Sequence, residues 1–355
     1  MQPARMKHIL LGAVVCLAFP AFCRDQTDVI VMKNGDRITG EVKNLAGGVL
    51  KVDLSYVDGT IAIDWLSVAR LESRALFLVE LQDGSIYSGR VITPDTLSGI
   101  PVKIEIQPNF GQEPLSVDKS EVVRMTQTSE SLLQRFSGSL TIGALYSKGN
   151  SATQYSVGSE LDYQQVRWGS RVRYNSNLSS STGAETATRN QLDLSAHRLL
   201  PWKNYYYDGS AAFLQSSVQG IQSQTNLGFG LGRYLKNTNR VRFTTQGGLG
   251  WQKTIYESTI ATQDSQNVAV ALVTLNLEVF SFKKTRLDAD ASVVPALTDP
   301  GRLFYRTNLA YYLKLFRKID WNFSFYGNWD TRPPPHFQGS DYGSSTGMSW
   351  TFGNK

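Results

Sequence analysis

From about Phe136 to Phe352 the chain alternates apolar and polar residues, segment after segment, with hardly any helical period between. Phe136, Gly138, Leu140, Ile142, Ala144 and Tyr146 share one parity; Ser137, Ser139, Thr141, Gly143 and Ser147 share the other, with Leu145 the exception. A period of two places successive side chains on opposite faces, so this is a strand with one apolar face. Trp321, Phe323, Phe325 and Trp329 against Asn322, Ser324, Asn328 and Asp330 repeat the pattern, as do Tyr342, Met348, Trp350 and Phe352 against Gly343, Ser345, Gly347 and Ser349. Every such face needs a cover, either a second sheet or lipid.

Turn signals cut this region into about twelve strands, near 136–147, 153–164, 168–178, 188–199, 204–217, 223–235, 240–253, 266–281, 285–295, 302–315, 319–330 and 341–353. Their connections alternate between two kinds. Gln165-Val166-Arg167, Pro201-Trp202-Lys203-Asn204, Lys236-Asn237-Thr238-Asn239, Lys283-Lys284 and Phe316-Arg317-Lys318 are brief and basic or aromatic. Residues 179–187, 219–222, 256–265, 296–302 and 331–341 are mostly longer, polar or rich in proline and glycine; only Lys148-Gly149-Asn150-Ser151 is short on that side. A soluble sandwich has no reason to sort its loops this way. An antiparallel transmembrane β-barrel of the bacterial outer membrane does, with an even strand count, brief turns in the periplasm and long loops outside.

Aromatic residues gather near strand ends: Trp168, Trp202, Tyr205, Tyr206, Tyr207, Trp251, Tyr256, Phe280, Phe282, Phe304, Tyr305, Phe316, Trp321 and Trp329. Rings there suit the two bilayer interfaces. The opposite parity carries Glu160, Asp162, Arg171, Arg173, Asp193, His197, Asp208, Arg242, Asp288, Asp290, Arg306, Lys314 and Asp330. Drying these between two sheets would cost several kcal/mol per unpaired ion, whereas a wet lumen costs far less. The mixed signs favour cross-strand pairs that hold a barrel closed over a track for one ion.

The charged fraction, 19%, falls below the roughly 25% of ordinary soluble domains, as expected of a surface partly in lipid. Arg5, Lys7 and His8 precede an apolar run from Ile9 to Phe19, the arrangement of a secretory signal peptide over residues 1–23, with cleavage after Cys23; a lipoprotein anchor on Cys23 is disfavoured by Phe22. Removing Cys16 and Cys23 leaves no cysteine, hence no disulfide or thiolate metal site. The formal charge is +6, two of it from Arg5 and Lys7, and basic residues do not cluster with aromatics, so nucleic acid is not an expected partner. Outer-membrane lipid and the barrel-insertion machinery are. No cofactor is implied.

From Asp28 to Met125 the chain reads as short strands separated by turns, and it reads twice. Val31 to Val42 matches Val79 to Val91 when Gly35 is set on Gly84 and Gly40 on Gly89; Ile63-Asp64 through Arg70-Leu71 matches Val117-Asp118 through Arg124-Met125. Asn34-Gly35 and Asp83-Gly84 are hairpin turns by chemistry. The expectation is two small SH3-like or Sm-like barrels, 24–75 and 76–128, then a linker over 129–135 and the large barrel over 136–355. The tandem would bind a periplasmic peptide or polysaccharide, or serve as a spacer or plug.

Gly138-Ser139-Leu140-Thr141-Ile142-Gly143, leading into Ser147-Lys148-Gly149-Asn150-Ser151-Ala152-Thr153, resembles the start of the YdiY-like family of outer-membrane proteins. The resemblance covers the region to Phe352 and implies an outer-membrane β-barrel without an assigned biochemical role. The chain departs from the usual barrel ending on an aromatic residue, since Gly353-Asn354-Lys355 follow Phe352.

An enzyme would need partners for His197. Ser195 and Asp193 share its parity, but same-face neighbours along a strand are roughly 6.5–7 Å apart, too far for a nucleophile and its base. His336 follows three prolines in a loop. Asp288 and Asp290 suit pairing with Arg286, Arg306 or Lys314 better than a metal, and Gly228, Gly230, Gly232, Gly247, Gly248 and Gly250 read as small inward residues that leave room in a lumen. The expected role is a passive channel for small polar solutes or an envelope scaffold, with a lipid-modifying hydrolase as the alternative.

Overall fold

The computed structural model describes residues 28–57, 59–94, 103–108, 113–127, 136–147, 152–165, 167–181, 183, 186–200, 203–257, 265–280, 285–316, 318–333 and 338–352. The leader, the 129–135 joint, the Lys148–Ser151 loop, Trp202, Phe282 and His336 lie outside these residues. Among the described residues the protein is all-β, and no helix is long and apolar enough to cross a membrane.

Nine strands form the N-terminal sheet: β1 (Asp28–Met32), β2 (Arg37–Ala46), β3 (Val49–Asp53), β4 (Thr60–Asp64), β5 (Val68–Leu81), β6 (Ile86–Ile92), β7 (Lys103–Pro108), β8 (Leu115–Asp118) and β9 (Val122–Gln127). The path is β4-β3-β2-β1-β5-β6-β7-β8, with β9 pairing β2 and β5. The 75/76 boundary falls inside β5, which runs unbroken through both copies and serves as the last strand of the first and the first strand of the second. Each copy also completes the other. The end of β2 pairs with β9 at Leu45↔Met125, and the equivalent end of β6 pairs with β5 at Glu72↔Ile92. A 3₁₀ turn at Trp65–Ser67, capped by Asp64, faces its counterpart at Lys119–Glu121, capped by Asp118. Trp65 Nε1 donates to the Lys119 carbonyl at 3.1 Å, and Lys119 Nζ donates back to the Trp65 carbonyl at 3.0 Å. Ile30, Leu50, Trp65, Phe77, Ile104 and Met125 therefore belong to one core and not two. Gly40 has no room for a Cβ, which would stand 2.6 Å from the Asp53 carbonyl.

Twelve further strands close a barrel in simple sequence order: β10 (Phe136–Ser147), β11 (Ala152–Gln164), β12 (Trp168–Ser180), β13 (Ala187–Leu199), β14 (Tyr205–Ser216), β15 (Ile221–Asn237), β16 (Val241–Tyr256), β17 (Ser265–Phe280), β18 (Thr285–Pro295), β19 (Leu303–Lys314), β20 (Ile319–Asp330) and β21 (Ser340–Phe352). Every neighbouring pair is antiparallel, and β10 meets β21 from Gly138↔Phe352 to Ile142↔Met348. A spanning strand needs roughly 9–11 residues; β15 has 17, so the barrel wall extends beyond a hydrocarbon layer. The apolar parity points outward: Ile142 and Phe229 are each 61% exposed and Leu249 65%. Bare hydrocarbon on that scale requires a cover, as the outer face of a transmembrane β-barrel does. Towards the long-loop end the same face turns polar, where Ser176 Oγ bonds Asn190 at 2.7 Å and Asn190 bonds Gln215 at 3.0 Å.

Two expectations change. Tyr206, Tyr256 and Phe304 are buried, not exposed with the interface rings; Tyr206 stands over Gly232 and Phe304 under the Arg302 guanidinium. Nor do Gly228 and Gly250 leave room, and Gly247, paired with the exposed Leu231, faces outward and not into the lumen. A Cβ on Gly228 would stand 2.7 Å from Leu272 Cδ1, and one on Gly250 would be 3.2 Å from the same atom. Small residues there let a β17 leucine pack against bare backbone, filling that side of the interior.

Candidate functional site

A side-chain contact between strands that are not neighbours must run through the interior, so such contacts locate the lumen. Arg171 on β12 reaches Glu278 on β17 at 3.5 Å. Arg173, also on β12, reaches Asp290 on β18 at 3.4 Å. Those two strands are six apart in a ring of twelve, so this contact spans the barrel half-way round. Arg306 on β19 donates to Asn226 on β15 at 3.1 Å, and Gln246 on β16 to Asp208 on β14 at 2.9 Å.

Apart from the Arg306–Asn226 contact, which lies towards the long loops, these contacts build a network in the half near the brief turns. Arg171 holds Asp162 at 2.6 Å and Glu160 at 3.4 Å; Arg173 holds Glu160 at 3.8 Å. Arg242 holds Glu278 at 3.1 Å, and Arg286 holds Asp288 at 2.6 Å. Asn308 donates to Asp290 at 2.7 Å, and Gln191 to Asp193 at 2.8 Å. A charged pair in a wet lumen keeps part of its hydration, so such pairs join strands without the full penalty of dry burial. At the opposite end Arg189 pairs with Asp341 at 2.7 Å, and Arg302 Nε donates to Asp330 at 2.9 Å.

Between these two ends lies a polar chamber walled by β10–β13 and β18–β21. Beside it Val268, Val270 and Leu272 of β17 pack with Val294 of β18 and Phe304 of β19. The lumen is therefore partly filled and partly open.

The mouth beside the brief turns is covered by the N-terminal sheet. Asn204 donates to the Gln82 carbonyl at 3.2 Å, Asn237 to Glu80 Oε1 at 3.1 Å and Asn239 to the Val122 carbonyl at 2.7 Å. The last two asparagines are 4% and 6% exposed although they stand at a barrel rim. Gly47 lies against Phe280, and a Cβ on Gly48 would come within 2.7 Å of the Asn239 carbonyl. Glu80, with Arg124 at 3.7 Å, comes within electrostatic reach of His197, Tyr234 and Arg242 inside the barrel. Lys203 meets Asp83 at 2.6 Å, but both are well exposed, so this pair adds little.

Lys51 of β3 faces Lys314 at the rim, and its pKa falls to about 8, through burial first and Lys314 second. A lysine whose pKa is lower when docked binds more protons when released. Docking is thus weakest while Lys51 is charged, and strengthens as pH rises from about 8 towards the ordinary lysine value near 10.4. Protease protection of residues 28–127 in the folded protein is expected to rise across that window, and Lys51→Met should flatten the profile.

Of the residues expected in the lumen, Glu160, Asp162, Arg171, Arg173, Asp193, Asp208, Arg242, Asp288, Asp290 and Arg306 take part in the interior contacts described above. Lys314 is exposed at the rim. The His197 ring packs edge-on to Tyr206, with centroids 6.0 Å apart; among the described residues it is not hydrogen-bonded to Ser195 or Asp193. The sequence reading missed Glu278, which joins Arg171 and Arg242, as well as the Arg189–Asp341 pair. Among the described residues no cluster of metal-ligating side chains occurs.

A closed antiparallel barrel, apolar outside and charged within, is the class of membrane-spanning protein that this fold and lumen define. The chain belongs to the family DUF481, proteins of unknown function, matched over residues 140–352. No curated protein matches it. Among solved structures it is similar to the NanC porin, at 12% identity over 60% of this chain and 97% of that one, with a TM-score of 0.36. It is also similar to the translocator domain of the autotransporter NalP from Neisseria meningitidis, at 14% identity over 61% of this chain and 87% of that one, with a TM-score of 0.35. At these values the superpositions are loose.

Proposed function

We propose that the protein is a YdiY-like outer-membrane barrel with its N-terminal sheet in the periplasm, and that it gives small polar solutes a narrow diffusion path held nearly shut. The observation that carries this is the 3.4 Å contact of Arg173 with Asp290 between strands half a barrel apart. Among the described residues the constriction is made of side chains, which rotate, and not of a folded-in loop or helix. The covered mouth adds a second restriction in series. In this reading the neighbours are lipid, the insertion machinery and, at the free edges of β4 and β8, an envelope peptide or polysaccharide.

The isosteric pair Asn237→Asp and Asn239→Asp tests it. The new carboxylates face the Glu80 carboxylate and the Val122 carbonyl, at positions now 3.1 and 2.7 Å from the donated amides, and repulsion replaces both bonds. Outer-membrane recovery and heat-modifiable gel migration should persist, while single-channel conductance in planar bilayers rises at least about twofold as one series resistance is relieved. Silence of both proteins would sink permeation in favour of the scaffold.

A further inference from the structure

We infer that the open part of the lumen is a binding chamber for an uncharged, hydroxyl-rich solute, an assignment that rests on the diffusion-path reading and names its cargo. The chamber's wall chemistry decides the class. Each charge on that wall already has a partner of opposite sign. Arg173 is held between Glu160 and Asp290, Asp288 is held by Arg286, and Arg189 is held by Asp341. An ion entering would give up hydration and find no uncompensated charge in return.

The neutral groups are placed differently. Asn175 and Asn177 sit on β12 at the parity of Arg171 and Arg173, so they face inward, and both line the chamber. Among the described residues neither amide has a hydrogen-bond partner. On the opposite wall Ser324 and Ser345 bond each other at 2.7 Å, which leaves each hydroxyl further capacity. Tyr326 lines the same space with the Arg189 guanidinium 4.5 Å from its ring centroid. An amide offers donors and an acceptor side by side, and a sugar hydroxyl is itself both, so the two match without any net charge.

The test uses the full-length protein folded in detergent, titrated calorimetrically with maltose and, for comparison, with gluconate and choline. Saturable maltose binding is expected, weakened by about tenfold or more in Asn175→Leu/Asn177→Leu, with heat-modifiable migration confirming that the variant barrel is closed. Gluconate and choline should neither bind nor compete. No maltose binding by the folded protein, tighter binding of either charged probe, or equal maltose affinity in the leucine variant would each overturn the assignment. Bilayer conductance of the same preparation separates the two ideas. Conductance without maltose binding overturns the cargo and leaves the path; binding without conductance upholds the chamber and overturns the path.

Discussion

Leu249→Arg is expected to cost the folded barrel about 2–4 kcal/mol, roughly a thirty- to thousandfold shift towards the unfolded state. Leu249 is 65% exposed on the outer face and pairs with Phe229 on β15 and Ala271 on β17, with apolar neighbours on either side. A guanidinium there has no partner along the wall and must be hydrated from inside the bilayer. Urea titration in phospholipid vesicles, followed by tryptophan emission, measures the loss. The matched control is Asn276→Arg on the inward parity of β17, whose cross-strand neighbour is Asp290 and whose new charge meets water and a carboxylate. If both arginines cost the same, the apolar parity is not in lipid.

Removing both positive charges from β12, by Arg171→Ala and Arg173→Ala, is expected to turn a nearly silent lumen into a cation-selective one. Arg242 and Arg286 would still hold Glu278 and Asp288, but Glu160, Asp162 and Asp290 would lose the guanidinium contacts they now have. Even in bulk water a unit charge at about 4 Å is worth roughly 1 kcal/mol. Three carboxylates therefore supply a cation preference on the order of tenfold to a hundredfold. Reversal potentials under a potassium chloride gradient read this directly. A variant that stays silent, or conducts without selectivity, would show that the arginines do not form the constriction.

The barrel strands were legible because lipid on one side and water on the other impose a strict period of two, and no strand end lies more than three residues from its expected place. Where that contrast fails, so does the reading. In β17, residues 268–273 are apolar on both parities, because Val268, Val270 and Leu272 turn inward against the glycines of β15 and β16. Glu278 lies beyond that blur, on the polar parity of Thr274 and Asn276 in a stretch that alternates cleanly to Val279, so its place as an interior charge was legible. The docking of the N-terminal sheet left no trace. Gly47, Gly48, Gln82 and Asp83 read as ordinary turn residues, and turn chemistry is the same whether a turn faces solvent or a barrel rim. The duplication itself was visible in residue matches, but its consequence for strand exchange was not, since Leu45↔Met125 joins positions 80 residues apart.

That exchange bears on how the protein could change over generations. A chain that lost one copy would not keep a smaller intact unit: it would expose the end of β2 or β6, now covered by the other copy, as bare strand edge. It would also split a core that runs through both copies. Exposed edges recruit foreign strands and promote aggregation. Once β5 had fused the two copies into one sheet, deletion of either became more hazardous than divergence of both. The retained pair could then acquire unequal tasks, with Gln82, Asp83 and Glu80 of the second copy set against the barrel while the matching Asn34-Gly35 turn of the first stays exposed.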